Sequence, residues 1–313
     1  MKKFFLNLLS LLSTLLLIVL FTEIAVRIFV DDGFNYELEM MKYAKELKIT
    51  KRVEGVDTFI HKPNIETTIM KAKIKTDSNG FRDNQIQNDI SNRLMLLGDS
   101  MTFGFGSNFT FSDYLQKEFI NEFKIINAGV GNTNTVMQEK SFFEFYKKHS
   151  PNVLVLNFVI NDLELIIPKK KNFIRNNFYS YSYFNYKISL IKMNFNDVSY
   201  VTYYKNQFKN KIALDKFRNS VLNLKYYSLK NNIKFFVHFV PELNNVNDYP
   251  FVDEVDTIKE FLNLNDIKFI DGLKYFKGNK ENTLWVNEFD KHANEKAHKI
   301  IGKYLSKYLK GQI

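Results

Sequence analysis

The chain has 313 residues, 45% hydrophobic and 25% charged, enough to bury one good-sized core with room for an appendage. It has no cysteine, which excludes disulfides, thiolate metal sites and a cysteine nucleophile. The net charge of +10 comes from scattered lysines with no nucleic-acid module, so nucleic-acid binding ranks below attraction to an anionic membrane surface and below simple solubility.

In chain order, Met1-Lys2-Lys3 precedes an apolar segment from Phe4 to Phe21, interrupted only by Asn7, Ser10, Ser13 and Thr14, and Ile24 to Val30 extends it. A spanning helix needs about 20 mostly apolar residues. A cleaved signal has an apolar core of about 7–15 residues and then a small-x-small site. Here the run is longer and passes through Glu23-Ile24-Ala25-Val26-Arg27 without such a site. Residues 1–30 are therefore expected to be an uncleaved single-pass anchor in the cytoplasmic (inner) membrane, ahead of a cleaved signal and of a buried soluble helix. Lys2 and Lys3 place the N-terminus in the cytoplasm and the remainder outside it, on the periplasmic side.

Residues 31–92 read as a stalk and N-terminal extension. Asp31 to Lys51 is polar with loosely helical apolar spacing, a stalk or a short helix. Val53 to Lys75 alternates in places, as in Thr67-Thr68-Ile69-Met70-Lys71-Ala72-Lys73-Ile74, and reads as a β-hairpin packed on the main domain. Asp77-Ser78-Asn79-Gly80 then turns the chain into Phe81, and Asn84 to Asn92 is a polar linker.

From Arg93 strand and helix patterns alternate. The expected strands are Leu94–Leu97, Lys124–Ala128, Val153–Phe158, Ile233–Val240 and Ile267–Ile270. The expected helices are Phe111–Phe123, Thr135–His149, Ala213–Leu229, Phe251–Leu264 and Ala293–Leu309. Such alternation predicts an α/β fold, a parallel sheet with helices on both faces, over residues 93–313. Residues 164–211 break the rhythm with Lys169-Lys170-Lys171, Arg175 and the aromatic run Phe178 to Tyr186. Two readings stand: aromatics packed on the domain edge, or a lid or platform that meets lipid headgroups or sugars.

Four stretches carry chemistry together: Gly98-Asp99-Ser100, Asn127 to Thr135, Asn161-Asp162 and Asp290-Lys291-His292. The first three fall at carboxyl ends of expected strands, where parallel sheets bind ligands. A serine hydroxyl needs a base to take its proton; His292 can serve, with Asp290 fixing its tautomer. Backbone N–H groups of Ser100 and the Gly129–Asn132 loop, with the Asn161 amide, can hold an oxyanion. Taken singly, each residue has a structural explanation: a turn serine, a surface histidine as His298 is expected to be, a turn and N-cap pair at Asn161-Asp162. Their joint order at the strand ends favours acyl-transfer chemistry.

In these blocks the chain resembles the SGNH hydrolases, also called GDSL esterases and lipases. The resemblance runs roughly from Arg93 to the C-terminus and implies a flavodoxin-like three-layer α/β/α sandwich. It implies ester chemistry without a cofactor or metal, with Ser100 as nucleophile, His292 and Asp290 completing the triad, and Asn161 as oxyanion asparagine. The N-terminal apolar segment and Asn79-Gly80-Phe81-Arg82 also look similar to bacterial membrane-tethered members. There are three departures. Asn132 stands at the usual oxyanion glycine, a position expected to need positive φ, which Asn tolerates; Gly131 is the second choice, with Gly129 as possible support. Val159 replaces the glycine of Gly-x-Asn-Asp. Asp-x-His replaces Asp-x-x-His, so Asp290 must reach across a shorter turn, failing which Glu288 substitutes or the triad is a dyad.

Other motifs fit less well. Thr102 stands where a Gly-x-Ser-x-Gly elbow needs its second glycine, Phe105-Gly106 replaces the Lys-Ser/Thr of a phosphate loop, and no paired metal-ligand motif is present. The leading expectation is a membrane-anchored extracytoplasmic serine esterase hydrolysing acetyl or short-chain esters of a small molecule, lipid or carbohydrate. An O-acyltransferase acting on an envelope polysaccharide or lipid would use the same acyl-enzyme. A catalytically silent binding or assembly protein on this fold is the third reading.

Overall fold

The computed structural model describes residues 1–84, 90–166, 172–195 and 199–313. Most of the expected 84–92 linker and the Lys169-Lys170-Lys171 run lie outside them. Helix α1 spans Lys2–Phe29 and exposes nearly all its apolar side chains. Helix α2 (Tyr36–Glu46) starts where the Asn35 side chain accepts the Leu38 N–H, so the expected stalk or short helix is an ordered helix.

Two hairpins follow where one was expected: β1 (Lys48–Val53) with β2 (Val56–His61), and β3 (Glu66–Ile69) with β4 (Ala72–Lys75). The second turn is hidden in the sequence because Met70 and Lys71 take positive φ (49° and 58°) where Asn-Gly is usual. The Glu39 side chain accepts the Met70 N–H at 2.6 Å and fixes this turn from outside.

The main unit holds a five-stranded parallel sheet of β5 (Arg93–Leu97), β6 (Lys124–Asn127), β7 (Val153–Phe158), β8 (Lys234–Phe239) and β9 (Lys268–Asp271), in the order β6-β5-β7-β8-β9. Counted from the first strand of the sheet this is 2-1-3-4-5, the flavodoxin-like order, whose reversal beside β5 opens a crevice at the carboxyl ends. All six residues of β7 are buried, as a strand covered on both faces requires.

The connecting helices are α3 (Ser100–Phe103), α4 (Phe111–Glu118), α5 (Thr135–Ser141), α6 (Phe173–Asn177), α7 (Tyr179–Phe195), α8 (Tyr200–Lys209), α9 (Lys211–Lys230), α10 (Val252–Leu264) and α11 (Glu295–Lys310). Alternate strand residues face opposite layers. Met95, Leu97, Leu154, Leu156 and Val237 pack with α9 and α10. Leu94, Leu96, Val153, Val155 and Phe236 pack with α4 and α11. The result is the three-layer sandwich the alternation predicted.

Differences from expectation have local causes. The helix expected over 111–123 stops at Glu118 because the Gln116 amide bonds both Phe123 O and Ile125 N–H and pulls the chain into β6. The helix expected over 135–149 widens to a π-turn at Phe142–Tyr146, which turns Phe142 and Phe143 onto Tyr227 and Tyr146 onto Phe81. His298, expected at the surface, is fully buried on the α11 face that carries Ile301 and Leu305. Burial pushes its pKa down to about 3, so it is neutral. The 164–211 excursion divides. Tyr200 and Tyr204 of α8 pack against Phe251 on the domain edge, whereas α7 packs on α1 and α2.

Candidate active site

Strand β5 delivers Gly98-Asp99-Ser100 to the crevice. A Cβ at Gly98 would lie 2.1 Å from Thr102 Oγ1, so only glycine lets the chain turn this tightly. Asp99 caps α3 by accepting the Met101 N–H (2.8 Å), which places Ser100 at the first helical position.

Ser100 Oγ lies 2.8 Å from His292 Nε2, and His292 Nδ1 lies 2.5 Å from Asp290 Oδ1. The sequence separation between the serine and the histidine is 192 residues. The Asp-x-His spacing works because Asp290 folds back: Oδ1 accepts both the His292 N–H (3.0 Å) and Nδ1. The turn is braced by Val286 N–H to His292 O (3.0 Å), and by Asn287 Oδ1 accepting the Phe289 and Asp290 N–H groups. Glu288 is exposed, and Asp290, not Glu288, meets the ring. Burial alone would lower the His292 pKa. The charge and hydrogen bond of Asp290, with the charge of Asp99, outweigh it and hold the pKa above the ordinary value.

Asn161 Nδ2 lies 3.3 Å from Asp99 Oδ2, so one amide hydrogen faces Asp99 and the other remains. Val159 φ is −119°, ordinary extended backbone, so the missing glycine is not needed there. Asp162 accepts from Val159 N–H and from Gln138. Burial, then the nearby Asp99, raises its pKa well above the ordinary carboxylate value.

Asn132 has φ 59°, the left-handed conformation its position was expected to need. Among the described residues neither its N–H nor that of Ser100 has a hydrogen-bond partner. The second choices are committed elsewhere: Gly129 N–H goes to Asn127 Oδ1 (3.1 Å) and Gly131 N–H to the Tyr43 hydroxyl (2.7 Å). Neither glycine has its backbone donor left for an oxyanion.

Tyr43 opens a connection that sequence reasoning missed. It comes from α2 and is fully buried. Its hydroxyl also lies 2.7 Å from His61 Nε2. Burial pushes His61 down to about 3, and its ring also bonds the Gly80 backbone, so Nε2 of the neutral ring accepts the Tyr43 proton. Lys48 Nζ reaches the Gly131 carbonyl at 3.1 Å, and burial pushes this lysine down to about 8. Gly131, the residue before Asn132, is thus held at its N–H by Tyr43 and at its C=O by Lys48. A Cβ at Gly131 would meet the Tyr43 ring at 2.8 Å, which excludes any larger residue. Tyr36, at the start of α2, stacks on His292 (ring centroids 6.3 Å apart, 21° between planes). Glu242, just past β8, completes the surroundings. Burial, then Asp99, pushes its pKa up to about 8. Neither tyrosine, nor Lys48, nor Glu242 sits in a motif; only the position of Glu242 three residues past a strand end offered a signal.

No protein-family model matches the chain, and no curated protein matches it. Among solved structures it is similar to a two-domain esterase active on acetylated mannans, at 14% identity and TM-score 0.44, over 70% of this chain and 49% of that one. The chain therefore spans about half the length of that esterase. It is also similar to a lipase/acylhydrolase from Enterococcus faecalis, at 15% identity and TM-score 0.43, over 70% of this chain and 96% of the other. A GDSL-like lipase from Bacteroides thetaiotaomicron aligns at 12% identity and TM-score 0.41, over 73% and 93%.

Proposed function

We propose that this chain is a serine esterase that works through an acyl-enzyme, with residues 93–313 as the catalytic unit, 31–92 as an extension folded onto it, and 1–30 as a membrane anchor. The observation that carries the reading is the unbroken row Ser100 Oγ, His292 Nε2, His292 Nδ1, Asp290 Oδ1 at 2.8 and 2.5 Å. In the proposed reaction Ser100 Oγ attacks the ester carbonyl carbon while its proton passes to His292 Nε2. The carbonyl oxygen becomes an oxyanion and meets the Ser100 N–H, the Asn132 N–H and Asn161 Nδ2. The carbon–oxygen bond to the alcohol then breaks, and the leaving oxygen takes the proton from His292. Water, deprotonated by the same histidine, cleaves the acyl-serine and returns free Ser100.

Helix α1 is long and apolar enough to cross a membrane, with mean hydropathy 2.5 over its most apolar 18-residue window. We read it as an uncleaved inner-membrane anchor with the catalytic unit outside the cytoplasm, acting on acetyl or short-chain esters of a small molecule, lipid or carbohydrate. The test uses p-nitrophenyl acetate and a fluorophosphonate probe on the full chain in detergent. Wild type should turn over the ester and gain one adduct on Ser100, and Ser100→Ala should do neither. Equal turnover by a folded Ser100→Ala protein would overturn the assignment.

A further inference from the structure

The excursion helix α7 has one packed face and one bare face. On the packed side the Ser182 hydroxyl bonds Arg175 O (2.9 Å) and contacts the Met41 sulfur of α2. The bare side carries Tyr181, Phe184, Ile188 and Ile191, 42, 46, 51 and 55% exposed. Their spacing of three, four and three residues makes a continuous apolar stripe along one side of the helix. A soluble helix buries such a stripe.

The stripe sits beside α1, and the two helices are joined by a polar clamp. The Glu23 carboxylate accepts from Tyr179 N–H (3.0 Å), Ser180 N–H (2.9 Å) and Ser180 Oγ (2.7 Å), and so caps the first turn of α7. Arg27 pairs with Glu23 at 2.7 Å, donates to Asn177 O at 2.9 Å and lies 4.0 Å from the centre of the Tyr179 ring. This clamp is what an interface level looks like: charges, an arginine and a tyrosine at one end of an apolar helix. About one turn toward the N-terminus of α1, some 6 Å further along its axis, the surface turns mainly apolar, with Thr22, Ser180 and Asn185 its polar members. There a groove of about 520 Å³ opens between the helices, with Ile18 and Val19 on one wall and Ile174, Tyr181, Phe184 and Ile188 on the other.

We propose that this groove is a binding site for the hydrocarbon chain of a membrane lipid, and that α7 lies in the same leaflet as the outer end of α1. The occupant follows from continuity. One wall of the groove is α1 itself, which is apolar over its spanning window and has none of that window covered by the rest of the chain. Whatever medium surrounds α1 also fills the groove, and a soluble partner would have to enter hydrocarbon to reach it. Seating α7 in the leaflet also sets the catalytic crevice close to the membrane, because α7 packs on α2, whose first residue, Tyr36, stacks on His292. The proposal rests on the membrane reading of α1 and not on the chemistry of Ser100.

The experiment uses the full chain in vesicles of phosphatidylethanolamine and phosphatidylglycerol doped with a phospholipid that carries a photoactivatable diazirine in its acyl chain. Adducts are located by peptide mass spectrometry. The expected result is labelling of α1 and also of the α7 stripe, with the Phe184→Ser/Ile188→Ser double variant losing at least about 80% of the α7 adducts while α1 labelling and fluorophosphonate capture at Ser100 persist. Labelled α1 with unlabelled wild-type α7 would overturn the groove and leave the anchor standing. An unlabelled α1 would overturn the anchor and the groove together. Unlabelled α7 with a crosslinked dimer would assign the stripe to a second copy of this chain instead.

Discussion

The two halves of the candidate site are assembled in different ways. The serine–histidine–aspartate row lies wholly within the sheet unit: Ser100 follows β5, and Asp290 and His292 sit in the turn before α11. The proposed oxyanion side lies across the junction with residues 31–92, where Tyr43 holds the N–H and Lys48 the C=O of Gly131, and Glu39 fixes the turn at Met70. One half needs only the sheet to bring its residues together. The other needs a second structural unit docked in register. Damage to the N-terminal extension should therefore weaken transition-state stabilisation while sparing the nucleophile and its base.

The largest expected effects fall on the row. His292→Ala should lower kcat by at least about 10⁴-fold, and Ser100→Ala/His292→Ala should be no worse than either single change, because groups acting as one unit are not additive. Steady-state turnover of p-nitrophenyl butyrate reads this out; a further large loss in the double variant would mean that the two act separately. Asn161→Ala removes the one side-chain donor of the cradle and should lower kcat by about 10²–10³, with fluorophosphonate labelling slowed but retained at Ser100.

The comparison is tested most directly by Tyr43→Phe. Gly131 N–H loses its acceptor and His61 its donor, which should cost about 1–3 kcal/mol in chemical denaturation. The loosened loop should lower kcat about tenfold with KM unchanged, an effect we expect on the grounds that small misplacements near the reacting atoms are costly. Wild-type kcat in a measurably destabilised variant would show that the Gly131 peptide serves the fold alone.

Two pH effects are smaller. His292 acts as a base only when neutral, and its pKa is held above the ordinary value of about 6.5. The acid limb of kcat/KM should accordingly fall at a pH above 6.5; a limb at or below 6.5 would mean that the Asp290 charge does not hold the proton on the ring. Glu242 links stability to pH. Its pKa is near 8 in the fold and about 4.3 when exposed. The folded state therefore holds a proton that the unfolded state has released, and this contribution is complete below about pH 4 and is lost as pH rises to 8. Urea denaturation across that range should show Glu242→Gln losing less stability with rising pH than wild type. Parallel curves would mean that the carboxyl reaches water.

The sheet was legible from sequence because its signals are local. An apolar run such as Val153 to Phe158 needs cover on both faces wherever it occurs, and a strand end followed by Gly98-Asp99-Ser100 or Asn161-Asp162 points to the crevice before any packing is known. The same locality made Ser100, the Gly129–Asn132 loop, Asn161, Asp290 and His292 visible as candidates, while the choice of Asn132 within that loop came from the family resemblance. It also set limits. Helix ends at Glu118 and Ser141 depended on where one glutamine amide and a cluster of aromatic rings found partners. His298 looked like any helix histidine until α11 was turned against α4.

By itself the sequence determined the α/β alternation, the apolar N-terminal helix and the order of the chemical blocks, since periodicity, chain reversal and strand termini are properties of neighbouring residues. Tertiary structure decided that Asp290 reaches His292 across a shortened turn, that the backbone donors of Gly129 and Gly131 are already taken, and that Tyr43 meets a peptide 88 residues away. A hydrogen bond between groups so far apart in the chain exists only where packing brings them within 3 Å, and no local pattern encodes that meeting.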